Sequence, residues 1–164
     1  MTFRVVGVLA SLVLVLTGCS DAGARAARPD RLPAVTLAAL EGHGSVDLST
    51  LRGPLVINLW ASWCGPCRKE LPQYQAFAQK YAGKVAVLGI DFQETRPAAA
   101  RQLAHDTGVA YPLFTDPDGR LRAAALPKVI LVDKSGRIVH EKYAEITSVG
   151  QLEALVHDHL GVST

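Results

Sequence analysis

A mixed α/β fold, one central sheet flanked by helices, is the architecture that this chain of 164 residues predicts. Three observations predict it. Nearly continuous β-prone runs, "PLVINLW" (54–60) and "KVAVLGIDF" (84–92), read as strands buried on both faces. Other stretches carry apolar residues at three- and four-residue spacing and read as helices. The two kinds of segment follow one another as β-β-β-α-β-α-β-α-β-β-α, which implies a mixed sheet covered on both faces within one domain.

Each element has its own signal. "AVTLAALEGHGSVDLSTLRG" (34–53) reads as two short strands about a Gly-rich turn at Gly42 to Gly44. After the 54–60 strand, Leu71, Tyr74, Phe77, Ala78 and Tyr81 mark a helical face that Gly83 ends. Pro72 lies inside that helix, where it removes a backbone donor and is expected to kink the axis. "TRPAAARQLAHDTG" (95–108) has a Thr start, an early Pro and a Gly stop, the marks of a second helix. "YPLFTD" (111–116) is a short strand, "DPDG" (116–119) a turn, and "LRAAA" (121–125) one or two helical turns. Pro127 to Tyr143 reads as a β-hairpin. Ser148 and Gln151 form an S-x-x-Q capping box for a last helix, with Val149, Leu152, Leu155, Val156 and Leu160 on its buried face and Gly161 as its stop.

Composition excludes several functions. With 49% hydrophobic residues the chain is not disordered. A net charge of +2 without a basic run offers no nucleic-acid surface. The first residues form an address. Arg4 precedes the apolar run Val5 to Leu16, which has the length of a signal-peptide core and falls short of the roughly 20 residues that span a bilayer. "LTGC" (16–19) then resembles the bacterial lipobox. The resemblance implies a lipoprotein signal peptide over residues 1–18, lipidation of Cys19 and anchoring on the extracytoplasmic face of the cell membrane. The other readings are an uncleaved anchor or an ordinary secretory signal. Residues 19–31 are Ala-, Gly-, Arg- and Pro-rich and read as a flexible tether, leaving 32–164 as the domain.

The chemistry is concentrated in "WASWCGPCRKELP" (60–72). Cys64 and Cys67 could be half of a zinc site, a structural disulfide or a working redox pair. Zinc needs four ligands, and no further cysteine is available beyond Cys19. His157 and His159 are two apart on a helix, and His43, His105 and His140 stand singly, so no metal ligand set is expected. A one-cysteine peroxidase pattern, with preceding Thr and Pro, is missing. The position argues for redox work. Cys64 follows a strand and opens a helix, where unpaired N–H groups and the helix dipole favour the nucleophilic thiolate. Cys67 lies one turn on, within bridging reach. Gly65 adds no bulk, and Pro66 suits the first helical turn.

The segment "LVINLWASWCGPCRKELP" resembles the active-site stretch of the thioredoxin superfamily, and within it the membrane-anchored TlpA/ResA-like thiol-disulfide oxidoreductases. Asn58 stands where plain thioredoxins have a buried Asp, Glu70 matches the acid that follows the cysteines, and 92–116 matches a β-α insertion. The resemblance covers residues 32–160. It implies a thioredoxin-like fold with an extra N-terminal strand or hairpin and no cofactor beyond a redox-active Cys64–Cys67 disulfide. It implies Cys64 as attacking and Cys67 as resolving sulfur. Glu70, one turn from Cys67, is the candidate base, the other reading being an exposed surface Glu. It also implies a cis-proline at Pro127, with Leu126–Pro127 receiving an extended client segment beside Trp63 and Pro66. Lys128 departs from the small residue usual there, and is either a charge beside the groove or a solvated side chain. The implied partners are disulfide-bearing proteins outside the cytoplasm, apocytochrome c among them, and a membrane thiol donor. The alternatives are an oxidase or isomerase of secreted proteins, or a non-enzymatic metal-delivery or docking module.

Overall fold

The structure, a computed structural model, describes residues 1–2 and 30–163. The body of the leader, Cys19 and most of the tether lie outside the described residues. The strands are β1 (Thr36–Ala39), β2 (Ser45–Asp47), β3 (Leu55–Trp60), β4 (Ala86–Phe92), β5 (Leu113–Asp116), β6 (Lys128–Val132) and β7 (Ile138–Lys142). The α-helices are α1 (Gly65–Lys80), α2 (Pro97–Asp106) and α3 (Val149–Leu160), with a 3-10 turn at Leu48–Thr50. The strands form one sheet in the order β2-β1-β5-β4-β3-β6-β7. β3 pairs in parallel with β4, and β4 with β5, while every other pairing is antiparallel.

All six residues of β3 are buried, as its unbroken apolar run predicts. Its alternate side chains serve two cores. Leu55, Ile57 and Leu59 join Leu88, Ile90, Phe92, Ile130 and Val132 on one face. Val56 joins Val87, Val129 and Leu131 on the other, where α1 contributes Tyr74 and Phe77 and α3 contributes Leu152 and Val156. α2 adds Ala100 and Ala104 on that same side, against Trp60, Leu71 and both cysteines. The helices of the described residues thus share one face. The opposite face is closed by irregular chain, including Leu32, Leu48, Leu51, Leu121 and Ala123. Parallel neighbours β3, β4 and β5 step in one direction, so right-handed crossovers put α1 and α2 on the same side.

Several local expectations are corrected. Residues 121–125 form turns and no helix. The Asp116 carboxylate accepts the N–H groups of Arg120 and Leu121 at 2.9 Å each, and Arg122 takes a left-handed φ of 49°. This side-chain capture of the backbone overrides the helix propensity of the alanines. The capping box at Ser148 is not formed: the Ser148 side chain makes no cap bond, and Gln151 reaches past the N-cap residue to accept the Thr147 N–H at 3.0 Å. The end of the segment read as a tether lies against the sheet: Arg31 bridges to Arg137, and the Ile138 N–H donates to the Asp30 carbonyl at 2.7 Å.

Candidate redox site

β3 carries the chain to the C-terminal end of the parallel strands, and α1 begins after residues 61–64. Cys64 is the N-cap residue of α1, in extended conformation, and its Sγ accepts the Cys67 N–H at 3.2 Å. The sulfur therefore sits on the unpaired donors at the positive end of a 16-residue helix. Cys64 and Cys67 form a disulfide with their Cα atoms 5.2 Å apart. Cys64 keeps 5% of its surface and Cys67 none, an asymmetry in the direction expected of an attacking and a resolving sulfur.

The other residues picked from the sequence fall around this pair. Pro66 is exposed in the first turn of α1. Trp63 is 48% exposed, its indole N–H donating to the Gln93 carbonyl at 3.3 Å. The Leu126–Pro127 bond is cis, and Leu126 packs against the cluster that holds both cysteines. Glu70 is fully buried, so the exposed-surface reading of it is excluded. Its Oε2 accepts the Ile146 N–H at 2.9 Å, and burial lifts its carboxyl to about 8 against the pull of that bond. Asn58 is buried on the helix-bearing side of β3. Lys128 is neither a solvated side chain nor a free charge. It is buried on the opposite face, bonded to Glu141 at 2.7 Å, with its ammonium 5.2 Å from the Tyr143 ring centre.

Sequence reading missed four residues here. Glu94 holds the loop before Cys64, its Oε2 accepting the Ser62 N–H at 2.8 Å and its Oε1 the Arg96 N–H at 2.7 Å. Burial pushes Glu94 up, but these bonds outweigh it and keep its carboxyl below the usual range. Asp91 lies beside Trp60 in register, fully buried, with neither carboxylate oxygen bonded, and burial raises it to about 7. Its signal was an acid inside an apolar strand. Tyr74 and Tyr111 were read only as a core residue and part of a strand, and both bury unpartnered hydroxyls near Glu70.

A cysteine pair spaced by two residues at a strand-to-helix junction, disulfide-bonded and on a mixed sheet of this order, defines a thioredoxin-like protein. Residues 29–141 match the AhpC/TSA family, and the chain belongs to that family. It is 32% identical over 114 residues to the thiol-disulfide oxidoreductase ResA of Bacillus thuringiensis, covering 66% of this chain and 65% of that one. It is 34% identical over 114 residues to the thiol:disulfide interchange protein DsbE homolog of Paracoccus denitrificans, covering 66% and 62%. The matches thus span slightly less than two thirds of these relatives. Among solved structures, a DsbF homologue from Corynebacterium diphtheriae aligns with a TM-score of 0.66 at 25% identity, over 79% of this chain and 87% of that one. A secreted thiol-disulfide isomerase from Corynebacterium glutamicum gives 0.64 at 25% identity, over 79% and 83%.

Proposed function

We propose that this protein is an extracytoplasmic thiol-disulfide oxidoreductase that reduces disulfides of client proteins. The carrying observation is the Cys64–Cys67 pair at the N-terminus of α1 with a buried carboxyl, Glu70, one turn away. In the reduced protein the Cys64 thiolate attacks a client disulfide, forming a mixed disulfide and releasing one client sulfur as thiolate, which takes a proton from water. Glu70 accepts the proton of the Cys67 thiol. The Cys67 thiolate then attacks Cys64 Sγ, and the second client sulfur leaves as thiolate and takes up the proton that Glu70 accepted. The client gains two electrons and two protons, and Cys64–Cys67 is left oxidised. A group with a pKa of about 8 is suited to accept that proton near neutral pH and return it later. Trp63, Pro66, Leu126 and Pro127 frame the opening over Cys64 and receive the client segment.

Similarity to ResA and to the DsbE homolog supports this chemistry. The AhpC/TSA match leaves the cysteine chemistry open, and the paired cysteines favour dithiol exchange over a one-cysteine reaction. The finer reading places the domain on a lipid anchor at Cys19, fed by a membrane thiol donor, with apocytochrome c as client. Oxidase or isomerase action is the second reading, favoured by the name of the C. glutamicum neighbour. Cys67→Ser tests the central step: it should accumulate a mixed disulfide with a client through Cys64, whose identity names the substrate. Failure to trap any disulfide-bonded protein from a membrane and periplasmic fraction, while Cys64 still reacts with small disulfides, would refute a protein client.

A further inference from the structure

The helix side of the sheet holds a cluster that thiol exchange alone does not explain. On α1, Cys67, Glu70 and Tyr74 stand at i, i+3 and i+7, all buried, so they form one row facing the sheet. Beneath the row lies Asn58 of β3, whose register partner on β4 is Gly89. A Cβ at Gly89 would meet Leu113 Cδ2 at 2.5 Å and the Trp60 indole nitrogen and Tyr111 ring at 3.1 Å each, so the missing side chain is what lets Leu113 and Tyr111 close over Gly89, next to Asn58. The Glu70 Oε1, both amide atoms of Asn58, and the hydroxyls of Tyr74 and Tyr111 are all buried without a well-formed partner. Buried polar groups of a native protein are nearly always paired, so these five atoms, brought together from α1, β3 and the segment before β5, find their partners in one another or in water.

We propose that Tyr111, with Tyr74 and Asn58, is a positioning set that supplies hydrogen bonds to the free Oε1 of Glu70 when it is charged, and so fixes the pH at which Glu70 takes the Cys67 proton. This deepens the reading of Glu70 as the base and rests on it. No side chain bonds Oε1 directly in the oxidised protein, so these groups act on it through an ordered water, which bridges such a gap at little cost. The Ile146 N–H already holds Oε2, so the second oxygen is the one whose solvation is open to control. The other charged or titratable groups facing Glu70 are Glu145, which pushes its carboxyl further up, and Cys67 on its own helix. Burial raises both tyrosine hydroxyls, Asn58 pulls that of Tyr111 back down through a side-chain contact, and Glu70 pushes both up, which sets the four side chains close to one another.

The test is stopped-flow reaction of the reduced protein with a chromogenic aromatic disulfide (Ellman's reagent). The first aryl thiolate reports attack by Cys64 and the second reports resolution by Cys67. Tyr111→Phe should leave the first phase alone and move the midpoint of the second phase upward. A shift of half to one pH unit slows resolution on the acid side about 3- to 10-fold. In a Glu70→Gln background Tyr111→Phe should have no further effect. Infrared titration of the carboxyl band of the oxidised protein should show the same upward shift without any turnover. Tyr74→Phe should shift both readouts in the same direction, which keeps the question answerable if Tyr111→Phe does not fold. Unmoved midpoints in the folded tyrosine variants would overturn the proposal. A Glu70→Gln profile matching that of the wild type would instead overturn Glu70 as base, and the infrared shift would then still report on the hydrogen bonding.

Discussion

The two faces of the sheet bury polar groups in opposite ways. On the face closed by irregular chain, Lys128 is paired with Glu141 and Asp116 accepts two backbone N–H groups. On the face that carries the helices, Asn58, Trp60, Glu70, Tyr74, Asp91 and Tyr111 all have buried polar atoms without partners. The first arrangement stabilises, because each buried group is satisfied. The second leaves desolvated groups whose proton affinities are displaced toward neutral pH, Glu70 to about 8 and Asp91 to about 7. Both sides of the sheet bury an apolar core, but among the described residues only the side against which the cysteines pack holds carboxyl groups whose proton affinity is raised toward neutral pH.

That contrast can be broken in three places. Ile57→Ala, in the apolar core of the first face, should cost about 2–5 kcal/mol of stability, read by denaturant unfolding. It should leave the pH dependence of exchange in place. Lys128→Met strands Glu141, which is 17% exposed, and should cost about 3 kcal/mol. Adding Glu141→Leu should recover most of that loss. A change in the pH profile of exchange with either Lys128 variant would show that the division between faces is wrong. Asp91→Asn sharpens it from the other side. The folded-state pKa of Asp91 lies above its unfolded value, so the folded protein holds the proton more tightly. Its contribution is fully present below about pH 4 and lost as pH rises to about 7. The variant should therefore gain stability relative to wild type across that window, on the order of 2 kcal/mol after allowing for water drawn in by a buried carboxylate, as read by melting at stepped pH.

What the sequence disclosed follows from how local each signal was. Cys64, Pro66, Cys67 and Glu70 lie within one helical turn of one another or the next, so their spacing alone placed them on one junction. β3 and β4 announced themselves by unbroken apolarity. Asp91, Glu94 and Tyr111 reach the site from 24 or more residues beyond Cys67, and their closeness depends on β4 lying between β3 and β5. Strand order leaves no trace in periodicity. Lys128 was misjudged because its partner sits across the hairpin, one register step from the residue opposite Val129. The alanines at 123–125 invited a helix that a single carboxylate, Asp116, redirected into turns.

A redox titration of the Cys64–Cys67 couple, followed by alkylation and mass analysis at each poised potential, bears most directly on the chemistry assigned to the helix-bearing face. The expected result is one two-electron transition nearer the thioredoxin value of about −270 mV than the value of about −120 mV of a strong oxidant, with Cys64 alkylated first. A pair that dithiol cannot open, or a Cys67 that reacts as fast as Cys64, would contradict it.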